Sequence, residues 1–129
     1  MKKAVALVLS LVLMLGLASS AMAKTAESLI PTLEPILKQN ENDAVSYALT
    51  YDKTADMLVL VATFKSADYT TAKKAGSALF TTVFDALGQV ATNLQTLLKD
   101  TSSGCIVMLV TNDNEPMCIY VNGSKIWSW

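Results

Sequence analysis

Two tryptophans near the C-terminus are the side chains best suited to contact a partner. Trp127 and Trp129 are separated only by Ser128, and residues two apart on a β-strand point to the same face. Large aromatic rings carry much of the binding energy at interfaces. The pair predicts a binding platform for a protein or glycan partner. The alternative is that both rings close one end of the hydrophobic core.

Four carboxylates fall in two predicted turns. Asp52 and Asp56 flank the first turn, and Asp113 and Glu115 lie in the second. Two carboxylates held ~5–9.5 Å apart could hydrolyse a glycosidic bond. Asp side chains also accept hydrogen bonds from their own turn backbone, and we favour that role here. Asp113 and Glu115 remain candidate binding residues.

The residue types that are missing exclude several kinds of catalysis. The chain has no His and no Arg, so all ten basic residues are lysines. Ser-His-Asp catalysis is therefore excluded, and the commonest general base and metal ligand is absent. No zinc-ligand spacing and no glycine-rich phosphate loop occurs. We predict no metal, no cofactor and no enzymatic activity.

Cys105 and Cys118 are the only cysteines, and they could form a disulfide in an exported chain. A hairpin centred near residues 113–114 places Cys105 opposite Asn122 and Cys118 opposite Leu109. The two cysteines would then lie four residues apart, or ~13 Å along the strands. A disulfide needs Cα atoms within ~7 Å, so this register favours two buried free thiols unless a bulge or a shifted turn brings the cysteines together.

The N-terminus reads as an export signal. Lys2 and Lys3 precede an apolar run over residues 4–17, and Ala21-Met22-Ala23 follows as a cleavage site. We predict a signal peptide at 1–23, a single α+β domain at 24–129, and a secreted or cell-envelope location. The run is too short to span a bilayer, so we expect no stable membrane anchor after cleavage.

Charge argues against nucleic acid as a partner. Cleavage leaves eight lysines against eleven acidic side chains, a net charge of −3. A phosphate backbone would repel such a chain.

Hydrophobic periodicity predicts an α+β fold in the order αββαββ. Residues 45–51 alternate with period two, and Met57 to Phe64 is apolar on both faces. Asn122-Gly123 indicates a tight turn, followed by a possible last short strand. We expect an antiparallel sheet of four to five strands with helices on one face. Its remaining apolar face would be large for a monomer, which makes a homodimer possible.

Two helices should flank the first hairpin. The first is short or kinked, with Pro31 in its first turn after a Ser28 cap, or begins only near Pro35. The second extends to about Lys99, and its apolar stripe is typical of a helix packed on a sheet rather than of a coiled coil. A 61-residue shift superimposes the two halves loosely, which suggests a tandem αββ repeat.

The segment from Leu109 to Pro116, followed by Tyr120-Val121-Asn122-Gly123, resembles small exported proteins of gut-type anaerobic bacteria. The resemblance implies export and no particular activity. The tandem αββ layout is also similar to that of exported enzyme inhibitors of the β-lactamase inhibitory protein type. We therefore expect a small exported binding module without catalytic activity. The alternative is an inhibitor of a secreted hydrolase, acting through the turn at 52–56 or at 112–116.

Overall fold

The computed structural model describes residues 25–129, and the predicted signal peptide at 1–23 lies outside the described residues. Short 3-10 segments cover Glu27–Leu29 and Ser77–Phe80. The regular elements are α1 (Ile30–Gln39), β1 (Val45–Asp52), β2 (Met57–Phe64), α2 (Tyr69–Ala75), α3 (Thr81–Leu97), β3 (Gly104–Thr111), β4 (Pro116–Val121) and β5 (Ser124–Ser128). The α+β prediction is confirmed. None of the helices within 25–129 is long and apolar enough to cross a membrane.

The first helix contains both prolines. Pro31 occupies its first turn, where the missing N–H would have had no helical partner. Pro35 lies inside the helix, so the alternative of a start near Pro35 was wrong. Ser28 does not cap α1, because its hydroxyl donates to the carbonyl oxygen of Thr25 instead.

The sheet contains five strands in sequential order, β1-β2-β3-β4-β5. β1 pairs with β2, β3 with β4 and β4 with β5 in antiparallel hairpins, as predicted. The central pair β2-β3 is parallel, so the expectation of a wholly antiparallel sheet was wrong for this pair. The physical reason is the long connection through α2 and α3, which returns the chain to the end of the sheet where β2 began.

The parallel central pair also argues against a tandem αββ repeat. β1 and β3, the first strands of the two hairpins, run in opposite directions. In both hairpins, however, the second strand lies on the side nearer the β5 edge of the sheet. When each hairpin is viewed from the helix side with its first strand pointing up, the second strand lies on opposite sides in the two hairpins. No rotation that keeps the helices on one face relates them.

The long second helix is divided at Gly76. This residue has φ 89° and ψ 148°, which no helix contains, and α2 ends there. α3 begins five residues later, after the 3-10 segment, and contacts β3, β4 and β5. The apolar stripe of α3 thus packs on the sheet, as favoured over a coiled coil. It buries the side chains of Val83, Phe84, Ala86, Leu87, Val90, Ala91, Leu94 and Leu97.

Candidate functional site

The two faces of the sheet have different surroundings. Along β2, Leu58, Leu60, Ala62 and Phe64 are buried under the helices, whereas the alternate residues are half-buried. The same alternation continues over most of β3. α1 and α3 contribute their buried residues to one cluster with the buried strand residues, so both helices cover the same face. The opposite side, which we call the open face, has apolar side chains at Val59, Val61, Ile106, Met108, Ile119, Val121 and Trp127.

Strand register joins these side chains into rows that cross the sheet. One row contains a residue from every strand, because each member is the Cα partner of the next: Ala48, Val61, Met108, Ile119 and Trp127. A second row runs beside it through Thr50, Val59, Ile106 and Val121. No member of either row is charged. Side-chain size increases along the row through Met108, from a methyl group at the β1 edge to an indole at the β5 edge.

Trp127 forms the rim of the open face on the edge strand β5. It is 43% exposed, and its neighbour Ile126 is 62% exposed. The register shifts between Ile119 and Tyr120, which leaves Ile126 without a Cα partner on β4. The two largest apolar side chains of the edge strand are therefore presented together to solvent.

Trp129 has a different environment from Trp127. Its ring packs edge-on against Phe80 and Tyr69, with centroids 5.9 and 5.7 Å apart, and the Lys73 Nζ lies 4.7 Å above it. β5 ends at Ser128, so strand alternation no longer directs the side chain of Trp129. The ring is half-buried against the core. Trp129 thus packs against the core, whereas Trp127 lies at the surface.

Asp113 connects the turn between β3 and β4 to the first residue of α2 by a hydrogen bond. Its carboxylate accepts a 3.0 Å hydrogen bond from the backbone N–H of Tyr69 and a short one from the hydroxyl of Thr111, which is fully buried. Tyr69 therefore connects Asp113 to the ring of Trp129. Glu115 is exposed, and its backbone N–H donates to Thr111 Oγ1 at 3.1 Å. This arrangement supports a structural role for Asp113.

The other acidic turn borders a cleft of about 550 Å³. Asp56 lines it and accepts hydrogen bonds from Tyr51 Oη at 2.6 Å and from the hydroxyl of Ser103. These hydrogen bonds lower the pKa of Asp56, with Ser103 the larger cause. Asp52 instead accepts from the backbone of Thr54 and Ala55, as the turn role predicts. A general acid of a glycosidase needs a raised pKa, which Asp56 does not have.

The two cysteines are free and buried. Leu109 is the Cα partner of Cys118, and the Cys105 backbone exchanges hydrogen bonds with Asn122, which is the register that the sequence predicts. The possible disulfide between them is therefore not formed, because they are offset along the strands. Within residues 25–129, no group of three or more His, Cys, Asp or Glu side chains could hold a metal ion.

Sequence reasoning located part of the open face. It identified Trp127, and it recognised that Met57 to Phe64 is apolar on both faces. It missed Met108 and Ile119 as site residues, although both lie in strands with apolar residues at consecutive positions. Comparison with protein-family models, curated proteins and solved structures gave no match.

Proposed function

We propose that this chain is a small exported binding module, without catalytic activity, that recognises an apolar protein surface through its open face. The observation that carries the proposal is the uncharged row from Ala48 to Trp127, which lies on the side of the sheet opposite α1 and α3. A contiguous apolar surface of this kind is typical of an interaction site. Trp127 at the rim would supply an aromatic anchor.

The chemistry of the open face favours a protein over a glycan. Sugars are bound by aromatic rings combined with several hydrogen-bonding groups, whereas the two central rows present aliphatic side chains and Met108. Burial of such side chains is stabilised by the hydrophobic effect at ~25 cal/mol per Å². The partner should therefore be flat and apolar where it meets the sheet.

Charge restricts the partner further. The cleaved chain would have a net charge of −3, and neither row of the open face contains a lysine. Phosphate backbones and anionic membrane surfaces are attracted by clustered cations, which this face lacks. Lys2, Lys3 and Ala21-Met22-Ala23 support export, so the partner would be secreted or associated with the cell envelope.

Inhibition of a secreted hydrolase stays a prediction. Inhibitory loops present side chains to an active site, whereas Asp113 turns its carboxylate toward α2 and Thr111. The open face is the better supported surface.

Capture from the native culture medium and cell envelope tests the proposal. Residues 24–129 would be immobilised as wild type, Met108→Glu and Gln89→Glu, and bound proteins identified by mass spectrometry. Met108 lies in the middle of the open face, whereas Gln89 is exposed on α3. A partner, including the chain itself, should be retained by wild type and Gln89→Glu and lost by Met108→Glu. Equal capture by all three folded proteins would refute the open face as the binding surface.

A further inference from the structure

We infer that the occupant of the open face is a second copy of this chain, packed face to face as a two-sheet sandwich. The inference rests on the proposed function, because it names the partner of the same surface. Three properties of the face support it: its area, its lack of charge, and the gradient of side-chain size along the row through Met108.

The area reaches the lower limit for a biological dimer. β2 and β3 contain eight residues each, which at ~3.3 Å per residue gives a length of ~26 Å. Five strands at ~4.8 Å spacing span ~19 Å between the outer strands. Because β4 and β5 are shorter, the footprint is at most about 500 Å² per copy, and two copies would bury about 1,000 Å², the lower limit for a biological interface.

The lack of charge suits self-association. In a two-fold dimer a residue on the axis meets its own copy, so a charge in the middle of the face would be brought close to a like charge. Both rows, from Ala48 to Trp127 and from Thr50 to Val121, consist of uncharged residues. The acidic side chains lie outside these two rows, although Asp52 follows Thr50 by two residues at the end of β1 and so shares the open side of the sheet.

The size gradient specifies the orientation. β3 is the middle strand, so a two-fold axis along it would place Met108 of one copy against Met108 of the other. The same axis lays the β5 edge of one copy over the β1 edge of its partner. Trp127 of one copy then covers Ala48 of the other, the largest side chain of the row against the smallest. Large-against-small pairing is what close packing of two sheets needs.

Sedimentation equilibrium tests the inference on residues 24–129. Wild type and Gln89→Glu should have twice the mass of the single chain at micromolar concentration. Met108→Glu should be a monomer, because it would bury two carboxylates against each other. Trp127→Ser, a milder change at an exposed rim, should weaken the dimer at least tenfold and keeps the test valid if Met108→Glu does not fold.

Crosslinking tests the orientation. Sheets in a sandwich lie ~10 Å apart, so a short bismaleimide can join cysteines on facing strands. An equimolar mixture of Ala48→Cys and Trp127→Cys should give crosslinked dimers, whereas either variant alone should give few. The native cysteines are buried and contribute little background. A dimer that crosslinks as readily in either single variant as in the mixture, or that does not crosslink in the mixture, would overturn this axis.

The outcomes separate the inference from the proposed function. A monomeric wild type whose open face still captures a different protein would overturn the second copy as occupant and leave the binding module standing. A dimer that Met108→Glu and Trp127→Ser both leave intact would also overturn it, since another surface would be responsible. A monomeric wild type that captures nothing would overturn both.

Discussion

The ring of Tyr120 lies directly against the backbone of Gly88. A Cβ atom added at Gly88 would stand 3.1 Å from both Cε1 and the hydroxyl oxygen of the tyrosine. The same hydroxyl donates a 2.7 Å hydrogen bond to the carbonyl oxygen of Phe84, one turn earlier in α3. The absence of a side chain at Gly88 thus lets α3 and β4 approach closely, and this contact explains a glycine inside a helix.

We expect Gly88→Ala to lower the free energy of unfolding by about 1 kcal/mol, although alanine normally stabilises a helix interior by a similar amount. The added methyl group would displace Tyr120 and strain its hydrogen bond to Phe84, and overpacking of this kind costs ~1–3 kcal/mol. Urea denaturation measures the change. In a Tyr120→Leu background the same substitution should become stabilising. A stabilised Gly88→Ala in the wild-type background would contradict the close contact.

Substitution of Trp129 should mainly lower the stability of the fold, whereas substitution of Trp127 should mainly weaken self-association. Trp129→Ala removes a half-buried ring that packs on Phe80 and Tyr69, and should lower the unfolding free energy by about 2 kcal/mol. Trp127→Ala removes a side chain that is 43% exposed, and should change the stability of the monomer by less than about 1 kcal/mol while weakening self-association. Thermal unfolding at low protein concentration measures the first effect. The reverse order of the two effects would refute the assignment.

Asp113→Ala should destabilise the fold by about 1–2 kcal/mol. The substitution leaves the buried hydroxyl of Thr111 and the N–H of Tyr69 without their charged acceptor. Glu115→Ala is the matched control, because Glu115 lies in the same turn and is exposed, and it should be nearly neutral. Chemical denaturation of both variants tests the difference. Equal stability of the two would show that Asp113 does not hold the turn to α2.

The native thiols should be unreactive. Burial raises the pKa of Cys118 to about 12 and raises that of Cys105 as well, so little thiolate exists at pH 8. Ellman's reagent should modify both cysteines only at the rate of unfolding. Rapid modification of the native protein would contradict their burial.

Stability should decline at alkaline pH. A thiol that titrates near pH 9 in the unfolded chain and near 12 in the folded one binds its proton more tightly when folded. The resulting stabilisation is complete below pH 9 and is lost as pH rises toward 12. Burial also raises the pKa of Tyr120 to about 12, which adds to the loss. Cys118→Ala should flatten the decline in urea denaturation between pH 8 and 11. An unchanged slope would assign the loss to other groups.

Features encoded by neighbouring residues could be predicted from the sequence. Period-two alternation located β1, and Asn122-Gly123 located the last turn, where both residues have positive φ. The register of Cys105 with Asn122 followed from the length of the connection between β3 and β4 alone. Local geometry determines these features, so a single sequence contains enough information for them.

Features that depend on contacts between distant parts of the chain could not be predicted from the sequence. Whether β3 joins β2 in parallel depends on how α2 and α3 pack on the sheet, which no local pattern encodes. The row of Val61, Met108 and Ile119 emerges only once that pairing is known. Trp129 was assigned to the same face as Trp127 because the end of β5 at Ser128 could not be foreseen.

The parallel pairing of β2 with β3 also determines when the open face comes into existence during folding. Each antiparallel hairpin closes a short loop, whereas the central pair must bring together strands separated by residues 65–103. Closing the longer loop costs more chain entropy. The hairpins should therefore form first, and β2 should pair with β3 in the last step. Until then β1-β2 and β3-β4-β5 each carry only part of the apolar row. The open face would therefore be completed only at the final step of folding.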